Sequence, residues 1–404
     1  MKPTFFSLTA LLLAAAATSF AAAPAAQNFE EALAQGKVSL NARLRSESVT
    51  QTGLRDASAF TLRTRLGFTT APLSGWQVML EAENITAANP DGYSQAGLNP
   101  GGTGRAVIAD PTGTEINQAF LSYKNAATTA TLGRQRLVLD NARFIGDVGW
   151  RQNMQTYDAF VAQDKTLDKT TLTYAYLWRI NRVFSSRHAQ GVFDSNSHVL
   201  NAAYAGLPAG TLTGYTYLLD FDNSPANSSA TYGVSFVGTT KLTDAVKLSY
   251  RAEFATQSDY GSSPLNYSAH YSALEAGLVF AKGSLTVGRE ILGSGNNVGF
   301  KTPLATLHAF NGWADLFLAT PAAGLRNFYL KGTATLPEKI SLTVFWHDFN
   351  SDRGDTDLGR EFDASLSRKF GKFTTGLVKY ARFDRDSLTF PDVRKIWVQV
   401  EFVY

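Results

Sequence analysis

The chain has 404 residues, of which 18% are charged, 44% hydrophobic and 12% aromatic, with 33 Gly, no Cys and a net charge of +3. Charged residues are scarcer than the roughly 25% of a soluble domain. Beyond the N-terminus, however, no segment has the roughly 18 consecutive apolar residues of a membrane helix. The absence of Cys excludes disulfides, Fe–S clusters and thiol catalysis, and the small net charge argues against nucleic-acid binding.

The N-terminus has the pattern of a secretory signal. Lys2 precedes the apolar stretch 5–20 (FFSLTALLLAAAATSF), and small residues fill 21–26 (AAAPAA). We therefore predict a signal peptide over residues 1–21, with cleavage somewhere in 21–26. The alternative is an N-terminal membrane anchor, which the short, Ala-rich stretch disfavours. Residues 27–36 are predicted to form a short periplasmic N-terminal segment that includes a helix over 28–35.

From residue 37 onward, apolar and polar residues alternate in long segments. Leu62 and Leu66, for example, lie on the face opposite to Arg63 and Arg65. These segments have about 9–12 residues, as in membrane-spanning strands, whereas strands of soluble proteins have about 5–6. No long amphipathic helix is available to cover the apolar faces, so lipid is their natural solvent. We predict that residues 37–404 form an all-β, antiparallel transmembrane barrel in the outer membrane of a Gram-negative-type bacterium.

The connections between these segments alternate in length. Short ones include 70–74, 124–127, 206–210 and 281–283, and the long ones are 84–114, 137–154, 180–196 and 293–325. This alternation is typical of barrels with short periplasmic turns and long extracellular loops. About eighteen strands are predicted: 37–49, 59–69, 75–84, 115–123, 128–136, 155–163, 170–179, 197–205, 211–220, 229–239, 245–256, 266–279, 284–292, 326–335, 340–349, 359–369, 373–383 and 395–404.

Several motifs carry a family resemblance. They are KVSLNARLRSES at 37–48, TLRTRLGF at 61–68, EINQAFLSY at 115–123, LGRQRLVLDNARFIG at 132–146 and, most particularly, FKTPLATLHAFNGWAD at 300–315 followed by TPAAGLRNFYL at 320–330. With these motifs the chain resembles the alginate export family of outer-membrane barrels. The resemblance implies an eighteen-stranded, porin-like barrel through which a polymer or small solutes cross the outer membrane.

The polar faces of the strands are predicted to line the pore. The basic residues of this set are Arg43, Arg45, Arg63, Arg65, Arg251, Lys331 and Lys379, and the acidic ones are Glu47, Glu81, Glu83, Glu253, Glu275, Glu290, Glu361 and Asp363. A basic wall would raise the local concentration of an anionic solute. Because the arginine-bearing strands stand beside the Glu81 and Glu83 strand, two interpretations remain open: the charges neutralise each other, or they form a solute-binding ladder.

Three long loops have different expected roles. We predict that residues 137–154 fold into the lumen as a constriction loop with Arg143, Arg151, Asp140 and Asp147, the alternative being a solvated surface loop. Residues 293–325 are apolar, and an exposed apolar loop of that length would be a liability. This loop is predicted to pack inside the mouth as a plug or gate. Residues 84–114, rich in Gly, Asn and Asp, are predicted to form a flexible cover.

Enzyme chemistry is not indicated. The five His show no metal-ligand spacing, and neither a G-x-S-x-G elbow nor a P-loop is present. We expect no catalytic residue, no metal and no cofactor. The predicted function is a channel for passive passage of an anionic oligo- or polysaccharide or small solutes, and the alternative is a non-conducting plugged barrel that acts as a surface receptor or adhesin. The expected partners are outer-membrane lipid and the solute, without nucleic acid. The oligomeric state stays open, with a monomer slightly favoured.

Overall fold

The computed structural model describes residues 25–404, so the predicted signal peptide lies outside the described residues. The first element is helix α1 (Phe29–Ala34), whose N-cap Asn28 accepts a hydrogen bond from the backbone N–H of Glu31. The backbone N–H of Ala71 donates to the carbonyl of Ala32 at 2.9 Å, which ties α1 to the turn after the second strand. Within residues 25–404, no helix is long and apolar enough to cross a membrane.

A single antiparallel sheet of 18 strands follows the helix. The strands are β1 (Lys37–Gln51), β2 (Ala57–Thr69), β3 (Trp76–Ala87), β4 (Gly113–Lys124), β5 (Thr128–Gln135), β6 (Thr156–Asp164), β7 (Thr170–Asn181), β8 (Val192–Leu207), β9 (Gly210–Leu219), β10 (Ser229–Lys241), β11 (Lys247–Ser258), β12 (Ser268–Phe280), β13 (Gly283–Leu292), β14 (Leu325–Leu336), β15 (Ile340–Asn350), β16 (Asp357–Phe370), β17 (Thr374–Arg385) and β18 (Val393–Val403). Each strand pairs with its neighbours in the chain, and β1 also pairs with β18, so the barrel is closed. The predicted eighteen-stranded barrel is confirmed.

The connections form two distinct ends of the barrel. The short turns lie at the end that carries Lys37 and Tyr404, because Lys37 pairs with Thr69 just before a turn. This is the periplasmic end of a bacterial barrel, and the long loops 88–112, 136–155 and 293–324 lie at the extracellular end. The minor elements are two-residue strands at Ser294–Gly295 and Val298–Gly299 and 3₁₀ turns at Pro90–Gly92, Pro100–Gly102, Pro225–Asn227, Leu307–Ala309 and Pro337–Lys339.

The outer surface of the barrel is an apolar belt. Outward residues such as Leu66, Leu274 and Leu285 are exposed, and the exposed aromatics Trp76 and Trp178 lie toward opposite ends of their strands. A closed sheet satisfies its backbone hydrogen bonds internally, and aromatic residues favour the membrane interface. Together, the closed barrel and its belt define an outer-membrane protein.

The interior differs between its two ends. In the extracellular half, the inward residues Arg45 and Glu47 of β1 are buried, 1% and 0% exposed, because loops cover them. In the periplasmic half, the inward-facing Val237 of β10 is 49% exposed. An inward side chain can gain exposure only from water in the lumen. Water therefore reaches the inward face at Val237 in the periplasmic half, whereas loops cover the inward residues Arg45 and Glu47 in the extracellular half.

Candidate functional site formed by the lumen loops

Two long loops meet inside the barrel. We call residues 136–155 the constriction loop and residues 293–324 the mouth loop. The backbone N–H of Gly146 donates to the carbonyl of Leu304 at 2.9 Å, and that of Thr306 donates to the carbonyl of Ala142 at 3.0 Å. The apolar residues Ile145 and Leu304 are buried in the same core. The two loops thus form one unit inside the lumen rather than two independent surface loops.

Arginines of the first two strands hold the constriction loop by its carbonyl groups. Arg43 and Arg45 both donate to the carbonyl of Trp150, at 3.1 and 2.6 Å. Arg65 donates to the carbonyl of Gln152 at 3.2 Å. A guanidinium offers five N–H donors in a fixed plane, so it can donate hydrogen bonds to several carbonyl groups of an irregular backbone.

The same arginines are paired with carboxylates of the wall. Arg43 and Arg63 contact Glu401 at 3.0 and 2.9 Å, and Arg65 forms an ion pair with Glu83. The β1 and β2 arginines are 0–8% exposed. They lie on the inward face of the wall, as the alternation indicated, but beneath the constriction loop. Wall carboxylates pair with Arg43, Arg63 and Arg65, whereas Arg45 pairs with Asp110 of the loop 88–112 at 3.5 Å. Glu401 was not among the residues selected from the sequence.

Arg151 of the constriction loop is surrounded by carboxylates. It contacts Glu47 and Asp315 at 3.0 Å each and Asp110 at 3.8 Å. Burial alone would lower the pKa of Arg151, but these three carboxylates outweigh it and raise the pKa. Asp110 belongs to the loop 88–112, in which Tyr93 is fully buried and donates to the Asp110 carbonyl at 2.9 Å. This loop is therefore packed into the site, which differs from the predicted flexible cover, because its aromatic and acidic residues have partners in the lumen.

The other charged residues of the constriction loop also have partners. Arg143 lies between the two loops and β13: it contacts Glu290 at 2.7 Å and donates to the Thr302 hydroxyl at 3.1 Å. Asp140 accepts from the Asn201 amide at 2.8 Å, and Asp147 pairs with Arg136 at 2.5 Å. Burial raises the pKa of Asp140. Within residues 25–404, every charged residue predicted for this loop is thus engaged.

A cluster of aromatic and charged groups joins both loops to the far wall; we call Trp150, His308, Asp315, Lys379 and Lys395 the latch. The His308 ring stacks on Trp150 with 4.6 Å between ring centroids. Its Nε2 lies 2.7 Å from the Lys379 ammonium, and its Nδ1 lies 2.7 Å from Asp315. The Lys395 ammonium donates to Asp315 at 2.7 Å.

The latch fixes the charge states of its loop residues. Burial lowers the pKa of His308 well below its usual value, so the ring is neutral. A neutral ring can donate through Nδ1 to Asp315 while Nε2 accepts from Lys379. Burial alone would raise the pKa of Asp315, but the charges of Lys395 and Arg151 and the His308 contact hold it well below its usual range. No sequence motif joins these residues, so the latch could not be found without the fold.

Three further predicted acidic residues accept hydrogen bonds, two of them from backbone N–H groups of the mouth loop and one from a side-chain amide of the wall. Glu361 and Asp363 of β16 accept hydrogen bonds from the backbone N–H groups of Ala314 and Trp313, at 2.6 and 3.2 Å, and so hold the mouth loop. Glu81 accepts from the Asn117 amide at 2.6 Å.

The predicted charges on β11, β12 and β14 lie away from the latch. Arg251 forms ion pairs with Glu253 and with Glu275, the latter at 2.8 Å, and the Glu275 side chain is 30% exposed. The Lys331 ammonium lies 5.1 Å from the centre of the Phe345 ring. The exposure of Glu275 places this wall next to lumen water.

A cleft of about 430 Å³, which we call the vestibule cleft, lies between the mouth loop and residues that include Arg182 and Phe193. Its charged lining residues are Arg182 and Lys301, and its walls include Phe193, Leu265 and Leu307. Arg182 donates to the carbonyl of Gln190 at 2.9 Å and lies 4.3 Å from the centre of the Phe193 ring.

The two cations of the vestibule cleft differ from those of the latch. Within residues 25–404, neither Arg182 nor Lys301 forms an ion pair with a carboxylate. Burial lowers the pKa of Arg182 to about 10, so this guanidinium is charged at neutral pH but poorly solvated. Burial also lowers the pKa of Lys301. Both residues fall in loops that the sequence analysis delimited, yet neither was selected, since a lone cation in a loop carries no pattern.

The fold and the lumen loops define an 18-stranded outer-membrane barrel whose lumen holds folded loops. Solved structures with the same fold are outer-membrane porins. Acinetobacter baumannii OccAB4 matches with a TM-score of 0.70 and 12% identity, covering 91% of this chain and 98% of its own. Pseudomonas aeruginosa OccK9 (OpdG) matches at 0.72 and 14%, covering 93% and 100%. Pseudomonas aeruginosa OpdK, solved with vanillate, matches at 0.69 and 12%, covering 91% and 98%.

These identities establish the fold alone. No family model matches the chain, and no curated protein matches it by sequence. The resemblance to the alginate export family is not supported by the comparisons; only its porin-like barrel is. Within residues 25–404, no group of three or more His, Asp or Glu side chains could hold a metal ion.

Proposed function

We propose that the protein is a passive outer-membrane channel for small organic anions that carry an apolar body. The vestibule cleft is the observation that carries this proposal. Arg182 and Lys301 are basic, partly desolvated and without a carboxylate partner in the described residues. Cations in this state attract an anion more strongly than solvated or paired ones do. Because Lys301 belongs to the mouth loop, an anion bound in the cleft would lie against the loop pair.

The cleft also supports a size range for the solute. Its volume of about 430 Å³ lies in the range of small-molecule sites, and Phe193 and Leu307 offer apolar contact. This favours a small anion over the oligo- or polysaccharide that the sequence analysis included. The likeness to OpdK, which was solved with vanillate, an aromatic carboxylate, is consistent with this choice.

A second candidate is a non-conducting plugged barrel. It is favoured by one observation: the constriction and mouth loops fill the extracellular half of the lumen and are fixed by buried ion pairs such as Arg143–Glu290 at 2.7 Å. The two candidates differ in ionic current. The purified protein in a planar bilayer should conduct with a preference for anions if it is a channel, and absence of current would support the plugged barrel.

The solute class is tested by proteoliposome swelling in sodium benzoate and in benzyltrimethylammonium chloride, which share a ring and differ in charge. We expect faster entry of benzoate, and a loss of about tenfold in the Arg182→Gln/Lys301→Gln double variant, as for a charge-assisted hydrogen bond. The control is Lys165→Gln, which lies in an exposed periplasmic turn. Equal entry of both solutes, or no effect of the double variant, would contradict anion recognition in the cleft.

A further inference from the structure

The lipid-facing surface of β13–β18 changes from apolar to basic residues at its extracellular edge. Along β18, the outward residues Val400, Val398 and Ile396 are exposed and apolar, and the next outward residue is Arg394. Four other strands of this group follow the same pattern. We call the resulting set the rim arginines: Arg289, Arg326, Arg360, Arg382 and Arg394.

Carboxylates pair with three of the five rim arginines. Arg360 lies 3.1 Å from Asp348 and 4.0 Å from Asp386, Arg382 lies 2.9 Å from Asp384, and Arg326 pairs with Asp355. Within residues 25–404, Arg289 and Arg394 have no ion pair. Moreover, Arg394 stands directly opposite Arg382 in the strand register. Like charges in this position destabilise a sheet unless an anion lies between them.

The opposite wall of the barrel provides a comparison. At its extracellular edge, the outward Arg134 binds Asp158 through two hydrogen bonds of 2.7 and 3.1 Å. The outward Arg179 lies 3.8 Å from Asp194. Both of these arginines are paired within the described residues, whereas Arg289 and Arg394 on the β13–β18 wall are not.

A groove of about 170 Å³ lies among the rim arginines. Arg289 and Arg326 line it together with Phe328, Asp348, Asn350 and Asp355. The Phe328 ring packs edge-on against Trp346, with 6.2 Å between ring centroids. Because exposed aromatic residues mark the membrane interface, this groove lies at the level of lipid headgroups.

We propose that the rim arginines bind the phosphate groups of a phosphorylated glycolipid in the outer leaflet. A guanidinium binds phosphate through two parallel hydrogen bonds, which suits the unpaired Arg289 and Arg394. The acyl chains would lie along the apolar belt below, against residues such as Trp346 and Phe362. The bound phosphates would also relieve the repulsion between Arg382 and Arg394. The site faces lipid rather than the lumen, so it does not depend on the proposed channel function.

The test is a binding measurement on the detergent-purified barrel with bis-phosphorylated lipid A and its dephosphorylated analogue. Each basic residue near a charged lipid surface contributes about fivefold in affinity, so the Arg289→Gln/Arg394→Gln double variant should lose about 25-fold. Added salt should weaken binding to the wild type. The matched control is Arg179→Gln, an outward arginine of the same edge outside the patch, which should bind lipid A as the wild type does.

The outcomes separate this site from the channel. Loss of lipid A affinity with unchanged conductance in the double variant supports the proposal. Equal affinity of the double variant and the wild type overturns it, and so does equal binding of the dephosphorylated lipid. If inorganic phosphate displaces lipid A at equal concentration, the patch is a general anion site and the lipid assignment is overturned.

Discussion

Two groups of cations inside the barrel differ in their partners. The inward arginines of β1 and β2 are buried, as are Arg143 and Arg151 of the constriction loop. All of them contact carboxylates, as Arg63 contacts Glu401 at 2.9 Å. Arg182 and Lys301 of the vestibule cleft lie among apolar side chains without such partners in the described residues. The first group fixes loops, and the second is available to a solute. The inward direction of a cation does not decide whether it fixes a loop or is available to a solute. The presence or absence of a carboxylate partner decides this.

This difference has energetic consequences that mutations can separate. Removing one partner of a buried ion pair leaves an uncompensated charge, which costs about 3–5 kcal/mol. Removing an unpaired cation leaves nothing uncompensated behind. Substitutions in the first group should therefore change loop position and stability, whereas substitutions in the second should change solute recognition and leave stability unaltered.

The largest effect is expected for Arg151→Met. This change leaves Glu47 and Asp315 buried without their shared cation, both now 3.0 Å from Arg151. We expect a loss of about 3–5 kcal/mol in the free energy that holds the constriction loop. The loop should leave the lumen, and single-channel conductance should rise, together with a lower midpoint of thermal unfolding.

The control for Arg151→Met is Arg368→Gln. Arg368 forms an exposed pair with Glu338 at 3.0 Å near a periplasmic turn. Exposed pairs contribute at most about 1 kcal/mol, so this variant should keep the conductance of the wild type. If Arg151→Met also conducted as the wild type does, the ion pairs of Arg151 would not hold the loop.

An intermediate effect is expected from pH through the latch. The pKa of His308 is lowered well below 6.5 and that of Asp315 well below 3.8. In both cases the unlatched loop binds protons more readily than the latched one, so falling pH favours release. The His308 contribution is constant above about pH 6.5 and is lost progressively below it, and that of Asp315 is lost below about pH 4.

Conductance recorded between about pH 8 and pH 4 checks this dependence. We expect conductance to rise as the pH falls below the pKa of a free imidazole. His308→Gln removes the titrating ring, so the rise between about pH 6.5 and pH 4 should disappear. A wild-type conductance that falls with acid would show that the latch does not control the opening.

The sequence was sufficient for the barrel and for the direction of most charges. Alternation over long segments is a local property, and the observed β1 (Lys37–Gln51) differs from the predicted strand 37–49 only at its end. The apolar composition of the mouth loop likewise indicated that it packs inward. Both predictions depend on residues that are close together in the chain. For such residues, hydrophobic periodicity and apolar composition predict strand structure and burial without knowledge of the fold.

Contacts between distant segments could not be predicted in the same way. His308 and Lys379 are joined by a 2.7 Å contact although 71 residues separate them. Glu401 near the C-terminus neutralises Arg43, and Asp110 of an apparently loose loop reaches Arg151. Such pairs depend on loop conformation, which alternation does not encode. For this reason the sequence identified inward charges but not which of them are covered.

The smallest effect is expected for Lys331→Gln, which tests the open side of the same lumen. Lys331 faces inward on β14, and its ammonium lies 5.1 Å from the Phe345 ring without an ion pair in the described residues. Loss of one positive charge beside lumen water should shift the reversal potential by a few millivolts toward cation preference and leave conductance almost unchanged. Arg63→Gln is the matched comparison, because Arg63 is fully buried and paired. Arg63→Gln could instead shift the reversal potential without altering conductance, as expected of Lys331→Gln. Arg63 would then contact permeating ions. The distinction between cations that fix loops and cations that are available to a solute would fail at the position where burial makes it strongest.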